Sequence, residues 1–593
     1  MPRAGNKKKE KVERISLSTV KSVYHFTDKM IAKYLPEPEL VRNPHYSSAA
    51  PMRLWPKSVV EETANSEELK TILAKKVASK KKREDKKAQE KQKIREALLE
   101  NSLDSMISAC DTHRKFVVHV GPTNSGKTYA AMQALKQAGS GVYLGPLRLL
   151  ALEMYDTLNA EGVPCTLLTG EERIELPFAK ATASTIEMCD YGKNYEVAVI
   201  DEAQLIADKD RGGHWTKAII GLNADEIHVC VAPEGCDLVC NLIKATGCDL
   251  SVVEHERLAP LSVAKKVCNI RDVQKGDALI AFSRRSVLAL AAELERRGIK
   301  ASVIYGALPP DSRREEVRRF VEGETSVVVA TDAIGMGISI PIRRVIFTEA
   351  EKFDGTHRRM LNASEVRQIA GRAGRYGLYD EGYVSTFVSI GHIRKCMFEP
   401  ITPIKSYVIP FPTAVLDTDA KLEDLLKEWS CLPRSDLFER ASVANEMELL
   451  AYYRANISKK DADKKFVYSL ISCPVNTDNH QLILYWLQCC QHIVKDEKLA
   501  EPCFSQNSLQ DCEIAYKAFD IYHQMSRRAG DEVNCLYEKG QISAKINSFL
   551  RAKKKGRTCS RCGKGLSYNY PHGICQKCYN RSRQYSWDSD FDY

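Results

Sequence analysis

The chain has 593 residues, 44% of them hydrophobic and 28% charged, a balance ordinary for globular folding and a length too great for one core, so three or four domains are expected. It holds no run of about 18 apolar residues, which excludes a helical membrane span, and the opening MPRAGNKKKEKVERISLS lacks the apolar core of a secretory signal. The net charge of +10 is concentrated: residues 75–95 hold 11 Lys or Arg against three acids, a net +8, and leave the rest near neutral. An intracellular location, cytoplasmic by default, is expected. A mitochondrial presequence is left open, although the leader carries more Lys and Glu than such segments usually do.

Residues 1 to about 110 are charged and lack dense β-branched runs, so they read as helix and linker. Their basic stretch is either a nucleic-acid arm or a solvated helix, and composition favours the second. From about 113 to 389, short apolar runs alternate with amphipathic stretches, the pattern of βαβ units and a parallel sheet. Strands are expected at 116–120, 142–144, 197–200 and 227–231, and in a second set at 278–282, 302–305, 327–330, 345–347 and 383–387. Helices are expected at 287–297, stopped by Gly298, and at 313–321, ending near Gly323. The stretch around 257–262 divides the two sets into two lobes. Beyond about 410 the apolar spacing turns helical, at 422–429, 437–455, 482–492 and 512–525.

The first strand runs directly into Gly121-Pro-Thr-Asn-Ser-Gly-Lys-Thr128 and then an Ala/Leu-rich helix. This is the P-loop pattern in its required strand–loop–helix setting. Gly121 and Gly126 let the backbone N–H groups of Thr123, Asn124 and Ser125 turn around phosphates, with the helix N-terminus adding positive charge. Lys127 neutralises the phosphate oxygens and the Thr128 hydroxyl is a Mg²⁺ ligand, so ATP and Mg²⁺ are the expected substrate and cofactor. A second strand ends in Asp201-Glu-Ala-Gln204. Asp201 is placed to hold Mg²⁺ and Glu202 to polarise the attacking water.

In the second lobe, Ser326-Val-Val-Val-Ala-Thr-Asp-Ala-Ile-Gly-Met-Gly337 is a buried strand opening into a Thr/Gly-rich turn that includes Gly337 at the nucleotide. Gln368-Ile-Ala-Gly-Arg-Ala-Gly-Arg375 spaces Gln368, Arg372 and Arg375 by four and three, one face of a helix. Beside Gly371 and Gly374, these arginines read as charges offered to a phosphate rather than as a solvated face.

GPTNSGKT, DEAQ, TDAIGMG and QIAGRAGR resemble, in order and spacing, motifs I, II, V and VI of helicase superfamily two. Together with VIYGALPP (303–310) and the tail segment FVYSLISCPVN (466–476), the wording is similar to the RNA helicases of the mitochondrial degradosome and their bacterial relatives, over about residues 113–550. The resemblance implies two RecA-like lobes around ATP, Arg372 and Arg375 as arginine fingers, and Gln368 positioning the γ-phosphate or water. It also implies strand contacts from Arg148, Thr169 with Gly170, Thr185 and Thr331, and 3′→5′ movement on RNA. Gln204 stands where many relatives carry His.

Most of the 20 cysteines lie singly in apolar or helical stretches (Cys110, Cys165, Cys230, Cys268) and read as buried thiols. Beyond residue 550 the chain carries a segment that the family usually lacks, and there the pattern changes. Cys559-x2-Cys562, twelve residues, then Cys575-x2-Cys578 is the spacing of a closed tetrahedral Zn²⁺ site. Seven cations lie between 551 and 564 without an acid, and tyrosines are interleaved, so a nucleic-acid grip is expected, with protein docking as the rival.

The expected fold class is therefore α/β: two tandem RecA-like parallel-sheet lobes, a helical C-terminal region and a small zinc ribbon. The expected boundaries are 1–110 for the basic N-terminal region, 111–258 and 259–409 for the lobes, 410–550 for the helical domain, 551–580 for the ribbon and 581–593 for an acidic–aromatic tail. Three functions fit: a 3′→5′ RNA helicase of RNA turnover, a DNA or mixed-substrate helicase, or an ATP-gated RNA-binding adaptor that recruits an exoribonuclease. Intact Glu202, Arg372 and Arg375 argue against the third.

Overall fold

The structure, a computed structural model, describes residues 13–42, 50–100, 112–335, 340–375, 377–433, 435–457, 463–531, 533–552, 559–564 and 572–580, together with 107 and 110. The chain divides into two compact units, residues 1–97 and 98–593.

The first unit is more than helix and linker. Strands Arg14–Ser16, Met52–Pro56 and Glu39–Val41 form an antiparallel sheet in that order. Val20, Phe26, Trp55, Val60, Leu69 and Leu73 make its core, and Trp55 donates its indole N–H to Pro36 O at 2.8 Å. Ser16 and Thr27 cap the short helices Leu17–Ser22 and Asp28–Tyr34 by accepting from backbone N–H groups three residues on. The basic run lies on the 34-residue helix Glu67–Glu100.

In the second unit, short apolar runs become parallel strands buried on both faces. The first sheet has eight strands, in the order Asp249–Glu254, Lys115–Val120, Ala224–Val231, Tyr195–Ile200, Gly141–Gly145, Ala181–Thr185, Cys165–Leu168 and Arg173–Ile174. Only the last pairing is antiparallel. The second sheet is wholly parallel: Leu261–Val263, Gly382–Thr386, Arg344–Phe347, Asp277–Ile280, Val327–Ala330 and Ala301–Ile304. In Val327–Ala330 all four residues are fully buried, each large side chain contributing about 1.5–3 kcal/mol of burial. A parallel sheet points the C-terminal ends of its strands to one edge, where open α/β sheets bind ligands.

Every expected strand of both lobes is present. Cys165–Leu168, Ala181–Thr185, Asp249–Glu254 and the edge strands Arg173–Ile174 and Leu261–Val263 are present in addition to those expected. The helices Arg284–Arg296 and Pro310–Val321 start three residues earlier than expected, at the Ser283 cap and at Pro310. Beyond 410 the region is mainly helical: Leu422–Cys431, Ala444–Asn456, Lys464–Ile471, His480–Lys495, Leu509–Ala529 and Leu536–Arg551. The expected helix at 437–455 is shorter, because Phe438–Arg440 extends instead as a strand beside Tyr407–Ile409.

Candidate functional site

The strand Lys115–Val120 delivers Gly121 to the edge of the first sheet, and the loop enters the helix Lys127–Gln137 through Gly126 at φ +80°. Asn124 also takes a positive φ of 67°. At Gly121 a Cβ would stand 2.6 Å from His255 O and from Ser125 Oγ, so only glycine fits. Lys127 is 7% exposed, with Nζ 3.4 Å from Pro122 O. The buried Ser125 Oγ has no hydrogen-bond partner among the described residues. A loop with an inward lysine and an unpartnered buried hydroxyl fits a phosphate.

Asp201 stands at the end of Tyr195–Ile200 and is 3% exposed. Three groups donate to its carboxylate: Thr128 Oγ1 at 3.1 Å, Tyr143 OH at 2.9 Å and the Glu202 N–H at 2.9 Å. Trp215 Nε1 donates to its carbonyl at 3.0 Å. Burial, reinforced by the Glu202 charge, pushes the Asp201 carboxyl up, against Lys127 and the donated bonds. Hard oxygens from Thr128 and Asp201, in a place that favours added positive charge, fit Mg²⁺.

Glu202 sits at φ +51°, and Gln204 donates to its Oε2 while accepting from the Ala232 N–H at 3.0 Å. Gln204 thus locks the carboxylate from behind. Tyr143 and Gln204 are the two supporting residues that the sequence reading did not assign. Tyr143 lies inside a strand, where nothing in its neighbours marks it.

The second lobe meets this loop directly. Asn124 Nδ2 donates to Gly374 O at 2.6 Å, and a Cβ on Gly371 would lie 2.7 Å from Thr123 Cβ. Arg372 donates to Gly335 O from Nε and Nη2, at 3.1 and 2.6 Å, and its Nη2 stands 3.8 Å from Glu202 Oε1. Burial raises the half-buried Glu153 of the first lobe, and the charges of Arg375 and Arg372 oppose that rise. Both arginines are therefore at the seam. They are not on a helix face, however. The helix Ala363–Ala370 ends at the Gly371 cap, and Gly374 turns the chain at φ +71°, so both arginines project from a turn. Gln368 remains on the helix, packed over Gly335. Gly337 lies outside the described residues.

The residues expected to contact a strand have partners within the protein. Arg148 pairs with Glu171 and, at 2.5 Å, with Glu172, and its Nη1 donates to Tyr516 OH at 3.2 Å. Glu171 also holds Lys539 at 2.7 Å, which reaches Asp520 at 2.5 Å. Arg148 thus joins a buried ion network between the first lobe and the helical region. Thr169 is 1% exposed, and its Oγ1 accepts from the N–H groups of Glu171 and Glu172. Thr185 is buried, and the buried Thr331 Oγ1 accepts from Ala333 N–H at 3.2 Å.

Cys559, Cys562, Cys575 and Cys578 converge, with all four sulfurs within 4.8 Å of one another. The Cys575 N–H donates to Cys559 Sγ at 3.2 Å, and such bonds hold the Cys559 thiol down to about 6. Four converging thiolates fit a tetrahedral Zn²⁺. His572 stacks on Tyr579 at 6.3 Å. Of the residues expected to form the basic grip, 553–558 and 565–571 lie outside the described residues, as does the tail 581–593.

Two sheets, parallel but for one edge pairing, meet over a P-loop with a carboxylate pair on one side and arginines on the other, an arrangement that fits a two-lobed nucleotide site. Residues 104–255 match the DEXQ-box helicase domain of Suv3, and residues 262–377 match the helicase conserved C-terminal domain. Over these residues the chain is similar to the helicase domains of Suv3-type proteins. The chain is 39% identical over 445 residues to the mitochondrial ATP-dependent RNA helicase SUV3L of Oryza sativa subsp. japonica, covering 70% of this chain and 59% of that one. It is 46% identical over 308 residues to the mitochondrial DExH-box ATP-dependent RNA helicase DExH16 of Arabidopsis thaliana, covering 51% and 52%. To the mitochondrial ATP-dependent RNA helicase SUV3 of Saccharomyces cerevisiae it is 40% identical over 316 residues, covering 51% and 43%. The matched segment thus spans between about two fifths and three fifths of each relative. Among the described residues no helix is long and apolar enough to cross a membrane.

Proposed function

We propose that this chain is an ATP-dependent RNA helicase that hydrolyses ATP to move 3′→5′ along a strand and unwind it, in RNA turnover. The observation that carries this is Arg372 of the second lobe standing 3.8 Å from Glu202 of the first, above the P-loop. Glu202 holds the attacking water and accepts its proton, while Arg372 and Arg375 stabilise charge on the transferring phosphoryl group. Lys127 and the loop N–H groups seat the phosphates of ATP. Thr128 and Asp201 would hold Mg²⁺, which supplies charge neutralisation at the β- and γ-phosphates. Gln368 positions the γ-phosphate or the water. The relatives are named RNA helicases, which supports RNA over DNA, and mitochondrial, which supports that compartment over the cytoplasm.

In this reading residues 111–258 and 259–409 are RecA-like lobes and 410–550 a helical domain. Strand contact falls to the region of Arg148, Thr169, Thr185 and Thr331. Residues 551–580 are a ribbon around one Zn²⁺ that adds a basic grip, and an exoribonuclease is the partner that consumes the unwound strand. The test is unwinding of matched RNA and DNA duplexes bearing a 3′ or a 5′ overhang. ATP-dependent displacement of RNA from the 3′ overhang is expected. Equal action on DNA supports the mixed-substrate reading, and hydrolysis without displacement supports the adaptor. Zinc analysis of the purified protein, with salt titration of RNA binding before and after deletion of 551–593, tests the ribbon. One equivalent of zinc and a flatter salt slope are expected, since fewer counterions are released.

A further inference from the structure

Arg257 lies in the connection between the lobes, after the strand Asp249–Glu254 and before Leu261–Val263. It makes four hydrogen bonds, all to backbone carbonyls, from three separate segments. Nε donates to Ala259 O at 2.6 Å within the connection itself. Nη1 donates to Thr123 O of the P-loop at 2.7 Å and to Gly371 O at 3.0 Å. Nη2 donates to Ala373 O at 2.5 Å. Among the described residues no carboxylate pairs with it, and burial alone brings its proton affinity down, to about 10, so it stays charged at neutral pH.

The positions of these carbonyls matter. Gly371 and Ala373 lie in the turn just after the helix Ala363–Ala370, whose last carbonyls accept from the N–H groups of Gly371, Arg372 and Ala373. The carbonyls of the turn itself are thus left for Arg257, at the negative end of the helix dipole, where a cation is favoured. The same turn carries Arg372 and, two residues beyond Ala373, Arg375. On the other side, Thr123 belongs to the loop that seats the phosphates. A guanidinium offers a planar fork of donors in fixed directions, which an ammonium does not. The seam it spans has no slack, as the close approach of Gly371 to Thr123 shows. If the lobes part there, Arg257 must release either the loop or the arginine-bearing turn.

We propose that Arg257 is a positioning residue that couples the nucleotide cleft to strand binding, by holding the turn of Arg372 and Arg375 against the P-loop only when the lobes are closed. This rests on the helicase reading and adds the element that links its two ligands. In such a motor, bound nucleotide changes strand affinity by a coupling factor, typically about 5–150-fold. Without Arg257 the closed arrangement loses its tie, and the factor falls toward one.

The experiment uses the full chain as wild type, Arg257→Gln and Arg257→Lys, with a fluorescent uridine oligomer as strand probe. Strand affinity is measured with and without a non-hydrolysable ATP analogue and Mg²⁺, alongside ATP hydrolysis and thermal melting. Arg257→Gln is expected to bind the nucleotide-free probe within about twofold of wild type, to lose most of the coupling factor, and to drop kcat by about 10–100-fold with KM for ATP little moved. Arg257→Lys, charged but without the fork, is expected to fall between, and it stands in if the Gln variant does not fold. An unchanged coupling factor overturns the proposal. So does an equal loss of affinity with and without nucleotide that tracks a fall in melting temperature, because Arg257 is then a fold residue only. A wild-type chain with neither hydrolysis nor coupling overturns the helicase reading instead.

Discussion

The nucleotide cleft and the cysteine cluster were both visible as spaced motifs, yet they relate to their surroundings in opposite ways. The cleft stands on sheets with large apolar cores: Ala278, Ile280, Val328, Val345 and Phe347 in one lobe, and Ala131, Leu135, Tyr143 and Val199 in the other. Its functional side chains sit at the edge of a fold that does not need them. The cluster has a core of Cys559, Cys575 and Cys578 with Ile574 packed against them. There the cysteines are the core, and in the proposed zinc ribbon metal binding would supply nearly all the folding free energy. Removing a functional group therefore costs chemistry in the first place and structure in the second.

The sharpest way to break this contrast is at the seam. Arg372→Ala is expected to lower ATP hydrolysis by about 10³-fold or more while melting temperature and nucleotide-free RNA binding hold. A variant that hydrolyses normally but binds RNA poorly makes Arg372 a strand contact. At the cluster, Cys562→Ser is expected to abolish stoichiometric zinc and make residues 559–580 rapidly cleaved by protease, with hydrolysis at saturating RNA within about twofold of wild type. Retained zinc and protection would show that the segment has a core of its own.

Tyr143→Phe probes the middle ground, because its hydroxyl supports Asp201 from inside the sheet. Losing a hydrogen bond to a buried carboxylate costs about 1–3 kcal/mol. The expected result is a Mg²⁺ requirement raised by about tenfold with ATP affinity nearly kept. An unchanged Mg²⁺ titration removes Tyr143 from the site. The smallest effect concerns Asp520, pushed up to about 7 by burial and by Glu171, against Lys539. A carboxyl whose folded pKa exceeds its unfolded value stabilises the fold below the unfolded pKa, and that stability is lost as pH rises through the folded one. Relative to Asp520→Asn, wild type should therefore lose melting temperature between about pH 4 and 7. A difference that is flat with pH would mean the network holds Asp520 ionised throughout.

Range decides which features the sequence showed and which it hid. The P-loop, the Asp201-Glu202 pair and the four cysteines were legible because the chemistry sets residue types at short spacing. The strand Asp249–Glu254 was missed because five of its six residues, all but Leu250, are exposed and it lacks the apolar run of a central strand. The unit at 1–97 was missed because its core residues are scattered between charges. Arg372 and Arg375 were given helical spacing, but Gly371 ends the helix and Gly374 redirects the chain. The ion network that holds Arg148 was not legible either. The partner of Arg148, Tyr516, lies 368 residues away, a proximity no local pattern encodes.

The helix Leu509–Ala529 touches both lobes along its length. Near its start, Glu513 accepts from Tyr305 OH at 2.6 Å and pairs with Arg284 at 3.2 Å, both from the second lobe. Further on, Tyr516 meets Arg148, and Gln524 donates to Gly170 O, both of the first lobe. From 513 to 524 a helix rises about 16 Å, at about 1.5 Å per residue. A rod pinned at both ends resists pulling apart far more than tilting. The lobes are therefore tied in two places: at the nucleotide seam by the hydrogen bonds of Arg257 to Thr123, Gly371 and Ala373, and along about 16 Å of one continuous helix that contacts both.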